Sequence, residues 1–220
     1  MDSLPGGYTN ATRRSASGQV EKRYQGDDRR ERAALEHACL ARLAGLLPVP
    51  TVIAVDRDVP ALIMAEVGGG HGQGLLDAGH ATRVLRLAGV LLRTLQDLDP
   101  GVIPELTGSG GVIVHGDFGP QNLLLDDHGI TALVDWEFAH RGEPIEDLAW
   151  AEWIVRMHHH HAIDALDELH HGAGLDFDWT TRQAAMVQRC EALVRYCELH
   201  RSDGAEQWRT RLQRTEAWTD

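Results

Sequence analysis

The stretch that most constrains this 220-residue chain runs from Val112 to Glu137. It opens with the apolar triplet Val112-Ile113-Val114 and passes into His115-Gly116-Asp117-Phe118-Gly119-Pro120-Gln121-Asn122. Two apolar runs follow, Leu123 to Leu125 and Ile130 to Asp135, separated by Asp126-Asp127-His128-Gly129. Gly and Asp tolerate the positive φ of a tight reversal, so this spacing predicts a hairpin. Counting outward from the turn places residue 122 opposite residue 133. Asn122 and Asp135 then finish at the same mouth of the hairpin, with Asp117 in the loop beside them.

That juxtaposition has chemical content. An amide oxygen and a carboxylate are hard donors that suit Mg2+, which keeps its other positions for water and phosphate. A second carboxylate in the loop can receive a proton from a hydroxyl. These are the parts of a phosphoryl-transfer site, in which His-x-Asp-x-x-x-x-Asn is followed by a metal-binding Asp. His115, Asp117 and Asn122 keep that spacing, and Asp135 lies 18 residues beyond Asp117. Asp-x-x-x-x-Asn alone is ordinary turn composition; the complete set flanking a hairpin is far more specific.

The rest of the chain supplies a setting. Residues 1–67 show short strand patterns, including Val20-Glu21-Lys22-Arg23-Tyr24, where alternation puts Val20, Lys22 and Tyr24 on one face. One helix runs from an N-cap at Asp27 or Asp28 to about Gly45. Strands at Thr51 to Asp56 and Ala61 to Val67 are joined by a turn at Arg57 to Pro60. The glycine-rich run Gly68 to Gly74 reads as a flexible linker over 68–80, and it lacks the Gly-Lys-Ser/Thr ending of a phosphate loop. Beyond it, Val84, Leu87, Ala88, Leu91 and Leu95 have helical spacing, and residues 145–218 read as helices. The expected class is α+β, with a small antiparallel-sheet lobe (1–67), a linker (68–80) and a larger helical lobe (81–220).

His115-Gly116-Asp117 with Asn122, then Asp135-Trp136-Glu137, resembles the aminoglycoside phosphotransferase and choline kinase superfamily of protein-kinase-like small-molecule kinases. Leu4-Pro5-Gly6-Gly7-Tyr8-Thr9-Asn10 is similar to its nucleotide-covering turn, and Val20-Glu21-Lys22 to its third strand. Leu62-Ile63-Met64-Ala65-Glu66-Val67 resembles its hinge strand. Gly142-Glu143-Pro144 with Asp147-Leu148-Ala149 resembles the segment after the metal motif. The resemblance implies a bilobal protein-kinase-like fold and an ATP- and Mg2+-dependent O-phosphotransferase, GTP being an alternative donor. It implies that Asp117 is the catalytic base and that Asn122 and Asp135 hold the metal. Gly7 would cover the phosphates, and the Ala65 carbonyl and Val67 amide would read the base. Lys22 would bind the phosphates, oriented by a helix carboxylate. Glu36 shares a helical face with Ala33, Leu40, Leu43 and Leu47, while Glu31 shares one with Leu35, Ala38 and Arg42; the resemblance selects Glu36. His115 and Asp147 are expected to brace the loop.

Composition bears on partners. Lys22 is the one lysine among 21 Lys and Arg residues. Residues 1–100 are neutral, with 12 acidic and 12 basic residues, while residues 101–220 carry 21 acidic and 9 basic ones, the whole net charge of −12. An acidic chain is a poor general nucleic-acid binder. An anionic acceptor lobe concentrates cations, and Glu143, Glu146, Glu152, Asp164, Asp167 and Glu168 are expected around its cleft. The expected acceptor is a cationic aminoglycoside or another antibiotic, in resistance or self-resistance. An amino alcohol, sugar or nucleoside is the metabolic alternative, and a catalytically silent binding protein the remote one. No apolar run suits a membrane span, and the first residues lack a signal-peptide pattern. Cys39, Cys190 and Cys197 have no metal-ligand spacing and read as buried thiols. A cytoplasmic monomer or homodimer is expected. His158-His159-His160-His161 is expected to be a solvated helix end with incidental Ni2+ or Zn2+ affinity, since four consecutive helical residues cannot face one ion.

Overall fold

Period-two alternation and β-branched residues build the first part of the chain. In a computed structural model describing residues 2–3, 10–15, 18–200 and 204–220, five strands form an antiparallel sheet. They are β1 (Asp2–Ser3), β2 (Asn10–Arg14), β3 (Gln19–Tyr24), β4 (Val52–Asp56) and β5 (Ala61–Ala65), in the order β1-β2-β3-β5-β4. Lys22 faces Leu62 across β3 and β5, and its side chain is buried with that of Tyr24, as alternation requires. Helix α1 (Arg29–Leu43) buries Ala33, Glu36, Cys39, Leu40 and Leu43. Asp28 precedes it without capping it through its side chain; Oδ1 instead accepts from Arg32 Nε at 2.9 Å. The expected nucleotide-covering turn around Gly7 lies outside the described residues.

The glycine-rich run differs from the expected flexible linker. It contains β6 (Gly70–His71) and α2 (Gly72–Asp77). The later strands are β7 (Val112–Val114), β8 (Leu123–Leu125), β9 (Ile130–Leu133) and β10 (His140–Gly142). β6 pairs with β8, and β8 with β9. Here glycine serves close approach rather than freedom: a Cβ on Gly72 would stand 2.7 Å from the Pro120 carbonyl oxygen. Sequence alternation did not show β10, a three-residue strand of His, Arg and Gly that pairs with β7.

The hairpin also departs from simple counting. Leu125 pairs with Ile130, but Leu124 pairs with Ala132 and Leu123 with Leu133, so a bulge shifts the register by one. Val134 N–H then donates to the Asn122 carbonyl at 2.9 Å. Asn122 therefore faces Val134 rather than residue 133, one residue nearer to Asp135 than expected.

Helices α3 (Ala81–Gln96), α4 (Ile145–His158), α5 (Leu166–Ala173), α6 (Trp179–His200) and α7 (Ala205–Glu216) complete the fold. Val84, Leu85, Ala88, Leu92 and Leu95 of α3 are almost wholly buried in a core shared with Leu166 and Leu169. Each such Leu contributes on the order of 2 kcal/mol. A second core joins Trp150, Trp153, Met186 and Cys190. Trp150 and Trp153 stack at 4.5 Å, and Trp153 stacks on Trp208 at 5.5 Å. Cys39, Cys190 and Cys197 are buried and form no disulfide. Among the described residues no helix is long and apolar enough to cross a membrane.

Candidate active site

The site is assembled from β3, α1, the 115–122 loop and the segment after β9. Lys22 donates from Nζ to Glu36 Oε2 at 2.5 Å and to Asp135 Oδ1 at 2.6 Å, with Glu137 Oε2 at 3.9 Å. Tyr24 donates its hydroxyl to the same Glu36 oxygen at 2.7 Å. Burial works against the ammonium charge, but the carboxylates of Glu36, Asp135 and Glu137 outweigh it and hold the Lys22 pKa above its ordinary value. Burial also pushes Glu36 upward. The donors from Lys22 and Tyr24 favour its carboxylate form, and the ion pair is the state that satisfies all three groups. Glu31 is exposed, so Glu36 is the partner of Lys22.

Oxygens of Glu36, Asp135 and Glu137 lie within 4.8 Å of one another. The cations among them are Lys22, in contact with Glu36 and Asp135, and Arg32, in contact with Glu137. Side-chain exposure is 27% for Asp135 against 8% for Lys22, 2% for Glu36 and 1% for Glu137, so Asp135 alone offers an open edge. Asp135 sits at φ 73°, the one non-glycine residue with positive φ among those described. That conformation costs on the order of 1 kcal/mol and turns the chain out of the β9 line. Glu137 is committed elsewhere: it accepts from Arg32 Nη1 at 2.6 Å and from Asn10 Nδ2 at 2.9 and 3.0 Å. This clamp ties α1 and β2 to the Asp-Trp-Glu segment, and neither Arg32 nor Asn10 carries a local sequence signal for it.

The loop is held by backbone hydrogen bonds. Asp147 accepts from the N–H groups of His115 at 2.6 Å and Gly116 at 3.0 Å. Gly116 has φ 83°, and a Cβ there would stand 2.3 Å from the Phe138 carbonyl oxygen, so glycine is required. His115 Nδ1 accepts from Asp117 N–H at 3.2 Å while Nε2 lies 3.0 Å from the Val134 carbonyl, which sets the neutral Nε2-protonated tautomer. Burial drives its pKa down to about 4. His115 is thus a brace between loop and hairpin, not a proton carrier near neutral pH.

Asp117 is gripped at both oxygens. Oδ1 accepts from the Trp150 indole N–H at 2.8 Å and Oδ2 from Asn122 Nδ2 at 2.9 Å. Burial, then the charge of Asp135, pushes its pKa up to about 6 against the opposing effect of Trp150, Arg189 and Asn122. Trp150 lies three residues after Asp147 on α4, so one helix face supports both backbone and side chain of the loop, a spacing visible in the sequence. Arg189 of α6 donates to the Gly116 carbonyl and lies over the Trp150 ring at 5.5 Å. With its amide nitrogen bonded to Asp117, Asn122 has the carbonyl oxygen Oδ1 to offer a cation. Asn122 and Asp135 together fit the hard-oxygen donor set of Mg2+.

The remaining expected residues are peripheral to these contacts. Ala65 closes β5, its N–H bonded to Thr51 O at 2.9 Å, and Val67 follows the strand, partly buried. Glu152 is a correction. It was expected at the acceptor cleft, yet it is wholly buried and holds Arg156, His170 and Arg182. The polar groups an α-helix carries on its inner face must be paired, and here Arg156 one turn on and Arg182 of α6 pair it.

Residues 106–185 match the model of the phosphotransferase enzyme family, a stretch that contains Asp117, Asn122, Asp135 and Asp147. The matched stretch covers 80 of the chain's 220 residues. No curated protein matches the chain in sequence. Among solved structures it is similar to the GDP complex of aminoglycoside 2'-phosphotransferase-IIIa, with TM-score 0.79 and 12% identity over 98% of this chain and 92% of that one. It is similar to the macrolide 2'-phosphotransferase MphH from Brachybacterium faecium, with TM-score 0.69 and 18% identity over 100% and 93%. An aminoglycoside phosphotransferase from Streptomyces rimosus, solved with ADP and streptomycin, gives TM-score 0.67 and 17% identity over 80% and 87%. At these identities the likeness is one of fold: the chain shares the kinase-like architecture of these enzymes.

Proposed function

We propose that the chain transfers the γ-phosphoryl group of ATP, or GTP, to a hydroxyl of a small cationic molecule, an aminoglycoside or another antibiotic, in resistance or self-resistance. The observation that carries this reading is the Glu36–Lys22–Asp135 chain of contacts, set beside an Asp117 carboxylate held at both oxygens. Residues 1–67 act as the nucleotide lobe, 68–80 as the connection and 81–220 as the acceptor lobe. Lys22 leaves Asp135 to bind the α/β-phosphates, still oriented by Glu36. Gly7 covers the phosphates, and the Ala65 carbonyl and Val67 amide hold the base. Asn122 Oδ1 and Asp135 hold Mg2+, which when bound neutralises charge on the phosphoryl oxygens. Asp117 aligns the acceptor hydroxyl and accepts its proton, with Trp150 and Asn122 fixing the direction of its lone pairs.

Charge supports a cationic acceptor. The net −12 of residues 101–220 includes exposed Glu143, Asp164 and Asp167. Proteins of this fold have been solved with kanamycin and with gentamicin bound. The kinase works in the cytoplasm as a monomer or homodimer.

The test combines the purified chain, ATP or GTP, Mg2+ and a panel of aminoglycosides, macrolides, amino alcohols and sugars, with product mass as readout. Addition of one phosphoryl group to an aminoglycoside supports the reading. Transfer only to an amino alcohol or a sugar replaces it with a metabolic kinase. A melting curve unmoved by saturating nucleotide and Mg2+ sinks both.

A further inference from the structure

The histidine run straddles the end of a helix. α4 stops at His158, and His159, at φ −129° and ψ 55°, separates it from the 3-10 turn of His160–Ala165. Consecutive residues of one helix point in diverging directions. The break instead brings His159 and His161 to the same neighbour, Asp77 at the end of α2. His159 Nδ1 lies 2.9 Å and His161 Nε2 3.6 Å from Asp77 Oδ1. The potential ligand atoms of the three residues lie within 4.8 Å of one another. The other two histidines look elsewhere: His158 meets the Trp153 ring edge-on, and His160 Nε2 lies 2.7 Å from Arg214 Nη2.

We infer that Asp77, His159 and His161 form a Zn2+ site distinct from the catalytic cleft. Two imidazole nitrogens and one carboxylate oxygen suit Zn2+ in tetrahedral coordination, with a fourth position for water. Bonds of roughly 2.0–2.1 Å place tetrahedral ligand atoms roughly 3.4 Å apart. The adjustment this requires, widening the 2.9 Å His159–Asp77 pair and closing the 3.6 Å His161–Asp77 pair, falls on Asp77 and His161, whose side chains are 60% and 52% exposed and have room to turn. His159, at 9%, is the fixed ligand. Its remaining proton moves to Nε2, and His161 exchanges its contact with the Leu76 carbonyl, 3.2 Å away, for the ion. The ion fastens α2, whose first residue abuts Pro120 of the catalytic loop, to the end of α4, which carries Asp147 and Trp150. It braces the helices behind Asp117 without entering the reaction.

The test titrates the tag-free full chain with Zn2+ against a chromophoric chelator and follows thermal unfolding in parallel. One stoichiometric site is expected, with a raised Tm. His161→Ala and Asp77→Ala should each weaken binding at least about tenfold and remove the Tm gain. The double variant His158→Ala/His160→Ala, which keeps the three ligands, should bind as the parent does. Asp135→Asn should also retain the site, which separates it from cation binding in the cleft. Unchanged affinity in His161→Ala, loss of binding in the double variant, or no stoichiometric binding at micromolar Zn2+ would overturn the inference. None of these readouts depends on phosphoryl transfer, so the zinc site and the kinase reading fail separately.

Discussion

Two clusters of buried charge stand in contrast in this molecule. In the first, Lys22 holds Glu36 and Asp135, and Arg32 holds Glu137, drawing on β3, α1 and the segment after β9. In the second, Glu152 of α4 is held by Arg156 one turn on, by Arg182 of α6 at 2.8 Å and by His170 of α5 at 3.1 Å. Burial pushes the Glu152 carboxyl up, but its partners overcome this and keep it below its ordinary value. Both clusters are deeply buried and well paired. The difference is that every partner of Glu152 is committed within the helical core, whereas Asp135 keeps an open edge beside a second carboxylate with a raised pKa. Buried charge alone therefore does not mark chemistry. A cluster with one member partly exposed, next to a loop that holds another acid beside it, does.

The contrast can be broken or sharpened by measurement. The largest effect is expected from Asp117→Asn, which should lower kcat by about 10²–10⁴-fold while leaving the nucleotide-induced thermal shift in place. Full activity in that variant would remove Asp117 as base. Glu152→Ala should do the opposite, costing about 3–5 kcal/mol of stability by stranding buried arginines, with kcat/KM per folded molecule unchanged. Denaturant titration beside active-site counting would show it.

The His115 brace gives a pH prediction. Its folded pKa of about 4 lies below the unfolded 6.5, so the folded state binds fewer protons across that window. Its stabilisation is present above pH 6.5 and is lost as pH falls through 4, about 3 kcal/mol in all. Acid unfolding of the native protein should lose that much more than His115→Gln between those limits, and parallel curves would contradict the assigned tautomer. Lys22→Arg should lower nucleotide kcat/KM by about 10²-fold, more than any other exchange of the two cations in the chain. A forked guanidinium cannot replace a compact ammonium between two carboxylates. Arg42→Lys, on an exposed pair with Glu105, is the control expected to change nothing.

How much of this was legible beforehand follows from range. Lys22 on the buried face of β3, Glu36 on the apolar face of α1 and the hairpin bringing Asn122 toward Asp135 all follow from periodicity or turn chemistry, which act over a few residues. The bulge that sets Asn122 opposite Val134 was not readable, because nothing local distinguishes the shifted register. The clamp of Arg32 and Asn10 on Glu137 spans 105 and 127 residues. The Arg189 contact to Gly116 spans 73. No spacing rule reaches that far. The folding of 68–80 is hidden because glycine looks the same in sequence whether it loosens a chain or lets two backbones touch.

The sequence by itself determined the parts: one lysine on a strand, a carboxylate on a helix, and the His-Gly-Asp loop and Asp-Trp-Glu turn on either side of a hairpin. These are encoded by alternation, helical spacing and the conformational freedom of Gly and Asp, all of them local. Only the tertiary structure decided which charges meet. It chose Glu36 for Lys22, withdrew Glu152 from the acceptor side into the helical core, assigned Trp150 to Asp117, and turned two histidines of an apparent run toward Asp77. Those choices depend on which surfaces are pressed together and lose their water, because a charge removed from water must find a partner wherever the fold brings one.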